Sequence, residues 1–123
     1  MSFRNYIPKR GDLVHMNFSR SAGHEMAGRH YALVLSPLTY SRRMGAAIVC
    51  PVTSRIRRYP YEVFIPENLL PPKKGAGAVT SVIIADAVRQ VDFRKREMEF
   101  VVEAPRQLVE EVLDLLLTAI EDE

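Results

Sequence analysis

Pro105-Arg106-Gln107-Leu108-Val109-Glu110-Glu111-Val112-Leu113-Asp114-Leu115-Leu116-Leu117-Thr118-Ala119-Ile120 breaks with everything before it. Leu108, Val109, Val112, Leu113, Leu116, Leu117 and Ile120 recur at intervals of three and four, the repeat of an amphipathic helix, and Pro105 suits its first turn. Upstream the apolar residues alternate or run in short blocks, the patterns of half-buried and fully buried strands. A run of strands closed by one terminal helix predicts a mainly β domain with a C-terminal helix over one open side of the sheet.

Working back from the helix, strands are expected at Glu97–Glu103, Val88–Phe93 and Ala78–Ala85, the last rich in β-branched residues. Pro66–Gly77, with Pro71-Pro72 and two glycines, reads as a long loop, and Tyr61–Ile65 as a strand before it. Ala46–Thr53 is a further strand, in which Pro51 suggests an edge or a bend. Ser41-Arg42-Arg43-Met44-Gly45 reads as a polar turn and Tyr31–Ser36 as a strand stopped by Pro37. Ser19–His30 is expected to be a loop, and Leu13–Phe18 alternates with Val14, Met16 and Phe18 on one face against His15 and Asn17 on the other. Connections this short exclude helical crossovers, so the strands are mostly antiparallel, in a small bent barrel or sheet. The chain is expected to be one domain over residues 1–123, with a barrel over about 8–104 and the helix over about 105–121.

Composition narrows the class. With 47% apolar and 26% charged residues the chain is of ordinary globular make-up, and no run approaches the roughly 18 apolar residues of a membrane span. Met1-Ser2-Phe3-Arg4-Asn5-Tyr6 has no apolar core of a signal peptide, and the single cysteine, Cys50, permits no internal disulfide, so a cytoplasmic setting is expected. Net charge is +2, unevenly spread: Arg106 faces Glu110, Glu111, Asp114, Glu121, Asp122 and Glu123, so residues 105–123 carry −5 and the remainder +7. The cations cluster as Arg42-Arg43, Arg55/Arg57/Arg58, Lys73-Lys74 and Arg94-Lys95-Arg96. A single such pair is a solvated turn, whereas four on a small body favour a polyanionic ligand.

Gly23-His24-Glu25-Met26-Ala27-Gly28-Arg29-His30-Tyr31 brings an acid, a fixed cation and a titratable imidazole to the junction of a loop and a strand. Here the chain resembles the MazF/PemK (Kid) toxins of bacterial toxin–antitoxin systems. Arg10-Gly11-Asp12-Leu13-Val14 is similar to the family's opening "rGDiv", Gly23–Gly28 to "G-x-E-Q-x-G" and Ala32–Ser36 to "alVlS". Pro51-Val52-Thr53-Ser54 resembles "P-[ilv]-T-[st]", Tyr59–Val63 "yPfeV" and Ala85–Asp92 "x-D-Q-[vi]-[rk]-x-[il]-D". Six weak motifs in the family's order make a specific match. The resemblance implies an SH3-like barrel with a C-terminal helix, a homodimer, and cleavage of single-stranded RNA at short sequences without a metal or other cofactor. It also implies a cyclic phosphate and a 5′-hydroxyl as products, and a cognate MazE-like antitoxin whose acidic tail lies across the RNA groove.

Such cleavage needs a base for the 2′-hydroxyl, an acid for the departing 5′-oxygen, and a cation or hydrogen-bond donors for the phosphorane. The resemblance puts Thr53 at a catalytic threonine and Glu25 at the loop glutamate. The family's arginine lies in "G-h-R-P", where this chain has Gly28-Arg29-His30-Tyr31, so His30 stands in the arginine's place and Arg29 one residue earlier. Either the loop shifts and Arg29 fills the site, or His30 itself acts as acid or base. The expected catalytic set is Arg29, His30, Thr53 and Glu25, with Ser54, Arg55, Arg57, Arg58, Lys73, Lys74, Asp86 and Arg89 on the RNA. Asp86 matches a catalytic aspartate of the Kid branch, but that branch's preceding arginine is Ile84 here and the following glutamine is Ala87, so Asp86 is expected to be structural or an RNA contact.

Tyr40, Tyr59, Tyr61 and Phe93 are candidates for stacking on bases. His15, His24 and His30 lack metal-ligand spacing, Cys50 reads as a core thiol, and Gly75-Ala76-Gly77 after Lys73-Lys74 lacks the P-loop frame. Two other readings share the barrel. A gyrase-binding toxin of the CcdB type ends in Trp-Gly, whereas this chain has no tryptophan and ends Ile120-Glu121-Asp122-Glu123. A non-catalytic RNA-binding regulatory module is compatible with the changes at His30, Tyr31 and Ala87.

Overall fold

The computed structural model describes residues 5–18, 28–72 and 79–121; Glu25, Lys73 and Lys74, and with them the Gly75–Gly77 loop, lie outside these. The order is β1 (Asp12–Phe18), β2 (Gly28–Val34), α1 (Leu38–Met44), β3 (Ala47–Thr53), β4 (Glu62–Phe64), β5 (Val82–Ile84), β6 (Arg89–Val91), β7 (Glu99–Glu103) and α2 (Arg106–Glu121). The strands lie in the order β4-β5-β3-β2-β1-β7, with β6 also paired to β3. Every pairing among the described residues is antiparallel, as the short connections require.

The pleat divides the apolar residues between two cores. Leu13, Leu33, Cys50, Val52 and Ile83 point to the side covered by α2, where they meet Leu108, Val109 and Val112. Val14, Met16, Phe18, Ala32, Val34 and Val49 point to the other side, against Val91, Phe93 and Met98. A sheet buried on both faces explains the continuous apolar runs in β2 and β3. Between β1 and β7 the register slips after Leu13, leaving Val101 unopposed, a bulge that bends the sheet.

Arg10-Gly11-Asp12 stitches this bend together. The Arg10 Nε–H donates to the Leu35 carbonyl at 2.7 Å, and Gly11 exchanges backbone hydrogen bonds with Val34 and Ala104. Gly11 has φ +97°, a conformation that favours glycine. The Asp12 carboxylate is 2% exposed and accepts from the Tyr6 hydroxyl and, at 3.1 Å, from the Lys9 backbone N–H. The Lys9 ammonium approaches its other oxygen at 3.3 Å as an ion pair, without hydrogen-bond geometry.

Four sequence expectations change. Ser41–Gly45 is not a simple turn but the end of α1, which follows Pro37 and stops at Gly45 in the left-handed region. Seven residues give too short a period to read, and the buried Ser41 is held by the Ser36 hydroxyl at 3.1 Å. Pro51 is not on an edge, since β3 pairs with β2, β5 and β6; of the two expectations the bend is the one that fits. The β6 ladder stops at Val49 and the β5 ladder begins at Val52, so the missing N–H of Pro51 falls in the gap between them. β5 and β6 are three residues each, shorter than the apolar runs that contain them. Finally, β2 begins at Gly28, so Arg29 and His30 belong to a strand and not to a loop. Among the described residues no helix is long and apolar enough to cross a membrane.

Candidate active site

β2 and β3 are paired from Val34–Val49 to Ala32–Pro51 and then separate, β3 turning away to pair Thr53 with Val82 of β5. Their divergence opens a groove of about 860 Å³, walled by the 65–72 segment and by Val101 and Val102. His15, Arg29, His30, Thr53 and Ser54 line it around Tyr31 and Val52, with Glu67, Asn68, Thr80 and Ser81 as further polar lining. The sequence-predicted Arg29, His30, Thr53 and Ser54 are thus brought together, from β2, the end of β3 and the residue after it.

The two neighbours on β2 face opposite ways. Asn17 lies opposite Arg29, and His15 opposite Tyr31, on the α2 side of the sheet. The Arg29 Nη2 donates to Glu99 Oε1 at 2.9 Å and to the Glu97 carbonyl at 3.3 Å, its Nη1 lies 3.9 Å from the Glu97 carboxylate, and its Nε donates to His15 Nδ1 at 3.3 Å. Two carboxylates therefore meet its charge. Accepting at Nδ1 requires the neutral His15 tautomer with its proton on Nε2. Partial burial, and then the Arg29 charge, lower the His15 pKa below its ordinary value. The Tyr31 ring lies 5.0 Å from that imidazole.

His30 lies opposite Met16, on the side of the second core. Its ring stands edge-on to Phe18 at 6.0 Å, and the same Phe18 ring carries the Arg89 guanidinium carbon 5.4 Å from its centroid. Arg89 reaches that face because β6 sets it opposite Val49, whose side chain is in the second core. His30 and Thr53 both line the groove where β2 and β3 part. Thr53 Oγ1 accepts the Arg55 backbone N–H at 3.0 Å, which leaves the hydroxyl proton as a donor. The groove thus brings together an imidazole from β2 and a hydroxyl donor from the end of β3.

The remaining predicted residues fall into a second group. The Glu62 carboxylate accepts from the Arg57 and Arg58 backbone N–H groups at 2.9 and 2.8 Å, holding a loop on which Arg55, Arg57 and Arg58 are exposed. Tyr59 Oη donates to Asp86 at 2.7 Å, and burial together with Asp86 pushes the phenol up to about 12. Asp86 is thereby tied to the residue that follows the basic loop. Tyr40 accepts from Gln90 at 2.7 Å, while Phe93 is 2% exposed and is core, not a stacking platform. Cys50 is fully buried, its thiol pushed up to about 12 by burial. Sequence reading missed the Arg29 partners: His15 could be placed on the polar face of β1, but Glu97 and Glu99 meet Arg29 across about seventy residues of chain.

A small coiled antiparallel sheet, one C-terminal helix across one face and a polar groove where two central strands part define the class. The chain belongs to the PemK-like, MazF-like toxins of type II toxin–antitoxin systems, the family model matching residues 9–120. It is 34% identical over 91 residues to the endoribonuclease toxin MazF of Escherichia coli K12, a match covering 74% of each chain. The crystal structure of MazF from Deinococcus radiodurans, 42% identical, superposes with a TM-score of 0.82 over 94% of this chain and 98% of that one. A MazE–MazF complex from the same organism, 38% identical, superposes with a TM-score of 0.77 over 94% and 97%. The SH3-like barrel with a terminal helix implied by the motifs agrees with these structures, the sheet being strongly bent without full closure.

Proposed function

We propose that the protein is an endoribonuclease toxin that cuts single-stranded mRNA at short sequences without a metal. The reading is carried by membership of residues 9–120 in the PemK-like, MazF-like toxins, among which the Escherichia coli relative is named an endoribonuclease. The groove supplies suitable chemistry. The substrate's 2′-hydroxyl attacks the adjacent phosphorus, forming the new O–P bond as the P–O bond to the 5′-oxygen breaks. His30 takes the 2′-hydroxyl proton, and the imidazolium so formed returns a proton to the departing 5′-oxygen. Thr53 donates a hydrogen bond to a non-bridging oxygen, and Glu25 is the second acid–base group. The products are a 2′,3′-cyclic phosphate and a 5′-hydroxyl.

Ser54 and the Arg55, Arg57 and Arg58 loop, with Lys73 and Lys74, are assigned to the RNA backbone. The acidic tail of a cognate MazE-like antitoxin competes for these cations, a reading supported by the MazE–MazF complexes of the Deinococcus relative. We assign the active form to a homodimer in the cytoplasm.

Incubation of the purified protein with mixed-sequence single-stranded RNA in EDTA tests the reading. Discrete fragments with cyclic-phosphate and 5′-hydroxyl ends are expected, and RNA left intact by excess protein would sink it. His30→Ala should lower the cleavage rate about 10²–10⁴-fold in a protein that still melts cooperatively. Unchanged cleavage by that variant removes His30 from the mechanism.

A further inference from the structure

Cutting RNA at a chosen sequence requires a base to be held as well as a phosphate. An unpaired base is recognised by stacking on an aromatic ring and by hydrogen bonds to its edge. The groove offers both beside the reacting groups. Where β2 parts from β3, the groove is lined from both faces of β2. His30 comes from the side of the second core and Tyr31, the next residue, from the side of the first. A nucleotide carries its phosphate and its base on different sides of one sugar. Phosphate chemistry at His30 and Thr53 therefore brings a neighbouring base to Tyr31.

Tyr31 is half-buried, packed against the first core, and it lines the groove together with Val52, Ile65, Leu69, Leu70 and Val102. The His15 imidazole, also in the lining, lies 5.0 Å from the Tyr31 ring and is tilted by 55°. The Arg29 Nε–H on its Nδ1 selects the tautomer with a proton on Nε2, a donor suited to an acceptor on a base edge. Charge at this end disfavours a second anion. The Arg29 guanidinium meets Glu99 at 2.9 Å and Glu97 at 3.9 Å, two carboxylates to one cation. That balance turns away a phosphate or an acidic protein tail and admits an uncharged base.

We propose that Tyr31 and His15 form a nucleobase subsite that sets the base preferred at one position beside the cut. Tyr31 stacks on the base and His15 donates from Nε2 to its edge. The inference rests on the endoribonuclease reading and deepens it. His30 and Thr53 act on the phosphate of any RNA, whereas Tyr31 and His15 discriminate between RNAs.

Discrimination is a ratio of kcat/KM values, and the test reads that ratio. Wild type and variants cleave a randomised single-stranded RNA pool in EDTA, and sequencing of the new ends gives the base preference at each position. kcat/KM is then measured for four RNAs that differ only at the position most affected. Tyr31→Leu keeps an apolar side chain against the first core but removes the ring. It should reduce the ratio between the preferred base and the others about 5–100-fold at that one position, leaving the ratios elsewhere unchanged. Tyr31→Phe should keep the wild-type ratio. His15→Phe, which retains a ring but no donor, should lower the ratio at the same position. Equal loss on all four RNAs with unchanged ratios is the mark of a merely structural residue and overturns the proposal. So do a wild-type profile without base preference and full discrimination by Tyr31→Leu. If Tyr31→Leu does not fold, crosslinking to wild type decides. RNA made uncleavable by a 2′-deoxynucleotide at the scissile position, with 5-iodouracil at the selected position, is irradiated on the protein. A crosslink mapped to Tyr31 supports the subsite, and any other result overturns it. Wild-type protein that leaves the RNA intact fails at the level of the endoribonuclease reading, and the subsite falls with it.

Discussion

Arg29 and His30 are adjacent, and one register decision separates their roles. Because β2 starts at Gly28, with φ +83°, the two side chains leave opposite faces of the strand. Arg29 joins a ladder across three strands, His15 on β1 and Glu99 on β7, which has a measurable consequence. The His15 pKa is lowered in the folded protein, so below its ordinary value of 6.5 the unfolded chain binds a proton that the folded one resists. Its contribution to stability is whole above about pH 6.5 and is lost as pH falls through 6.5 towards the lower folded value. The melting temperature of wild type should therefore fall more between pH 7 and pH 5 than that of His15→Gln, whose amide oxygen still accepts from Arg29. Parallel pH profiles of the two proteins would refute this linkage.

At the scale of elements, α2 is held by the first half of its apolar stripe. Leu108, Val109 and Val112 are buried against the sheet, whereas Leu117 and Ile120 are 49% and 69% exposed. Truncating Leu108 to Ala should cost about 2–5 kcal/mol, because its neighbours collapse only partly into the space left. Glu110→Ala, which removes only the exposed Arg106–Glu110 pair at 2.9 Å, should cost about 0.5 kcal/mol or less. Urea melts of both variants measure the contrast, and comparable losses would mean that α2 is not docked through Leu108. The helix itself was legible because sixteen residues give a clear period. α1 was not, since seven residues give less than two full turns and its Ser41 is buried by a serine pair instead of an apolar stripe.

For the molecule as a whole, the governing fact is a sheet with both faces covered. Cys50 sits at the centre of β3, fully buried, donating to the Ala85 carbonyl at 3.5 Å, and its thiol is pushed up to about 12. In native buffer at pH 8 it should resist a thiol reagent and become modified only as fast as the protein unfolds. Stoichiometric labelling within minutes would show that the first core opens readily. The bend at Leu13–Val14 and the parting of β2 from β3 also belong to this scale, and together they set where the groove lies.

Local chemistry was enough for the class. The change of period at Pro105, the alternation in β1 and the ordered motifs from Arg10 to Asp92 are written in residue types and spacing, which short-range backbone preferences read directly. Contacts distant in sequence needed the tertiary structure. Pro51 is tolerated inside the sheet because two ladders end on either side of it, and Arg29 is engaged by carboxylates about seventy residues away. Phe18 gathers His30 and Arg89 from strands far apart in the chain. Register, which a shift of one residue inverts, decides which face each side chain joins, and only the paired sheet specifies it.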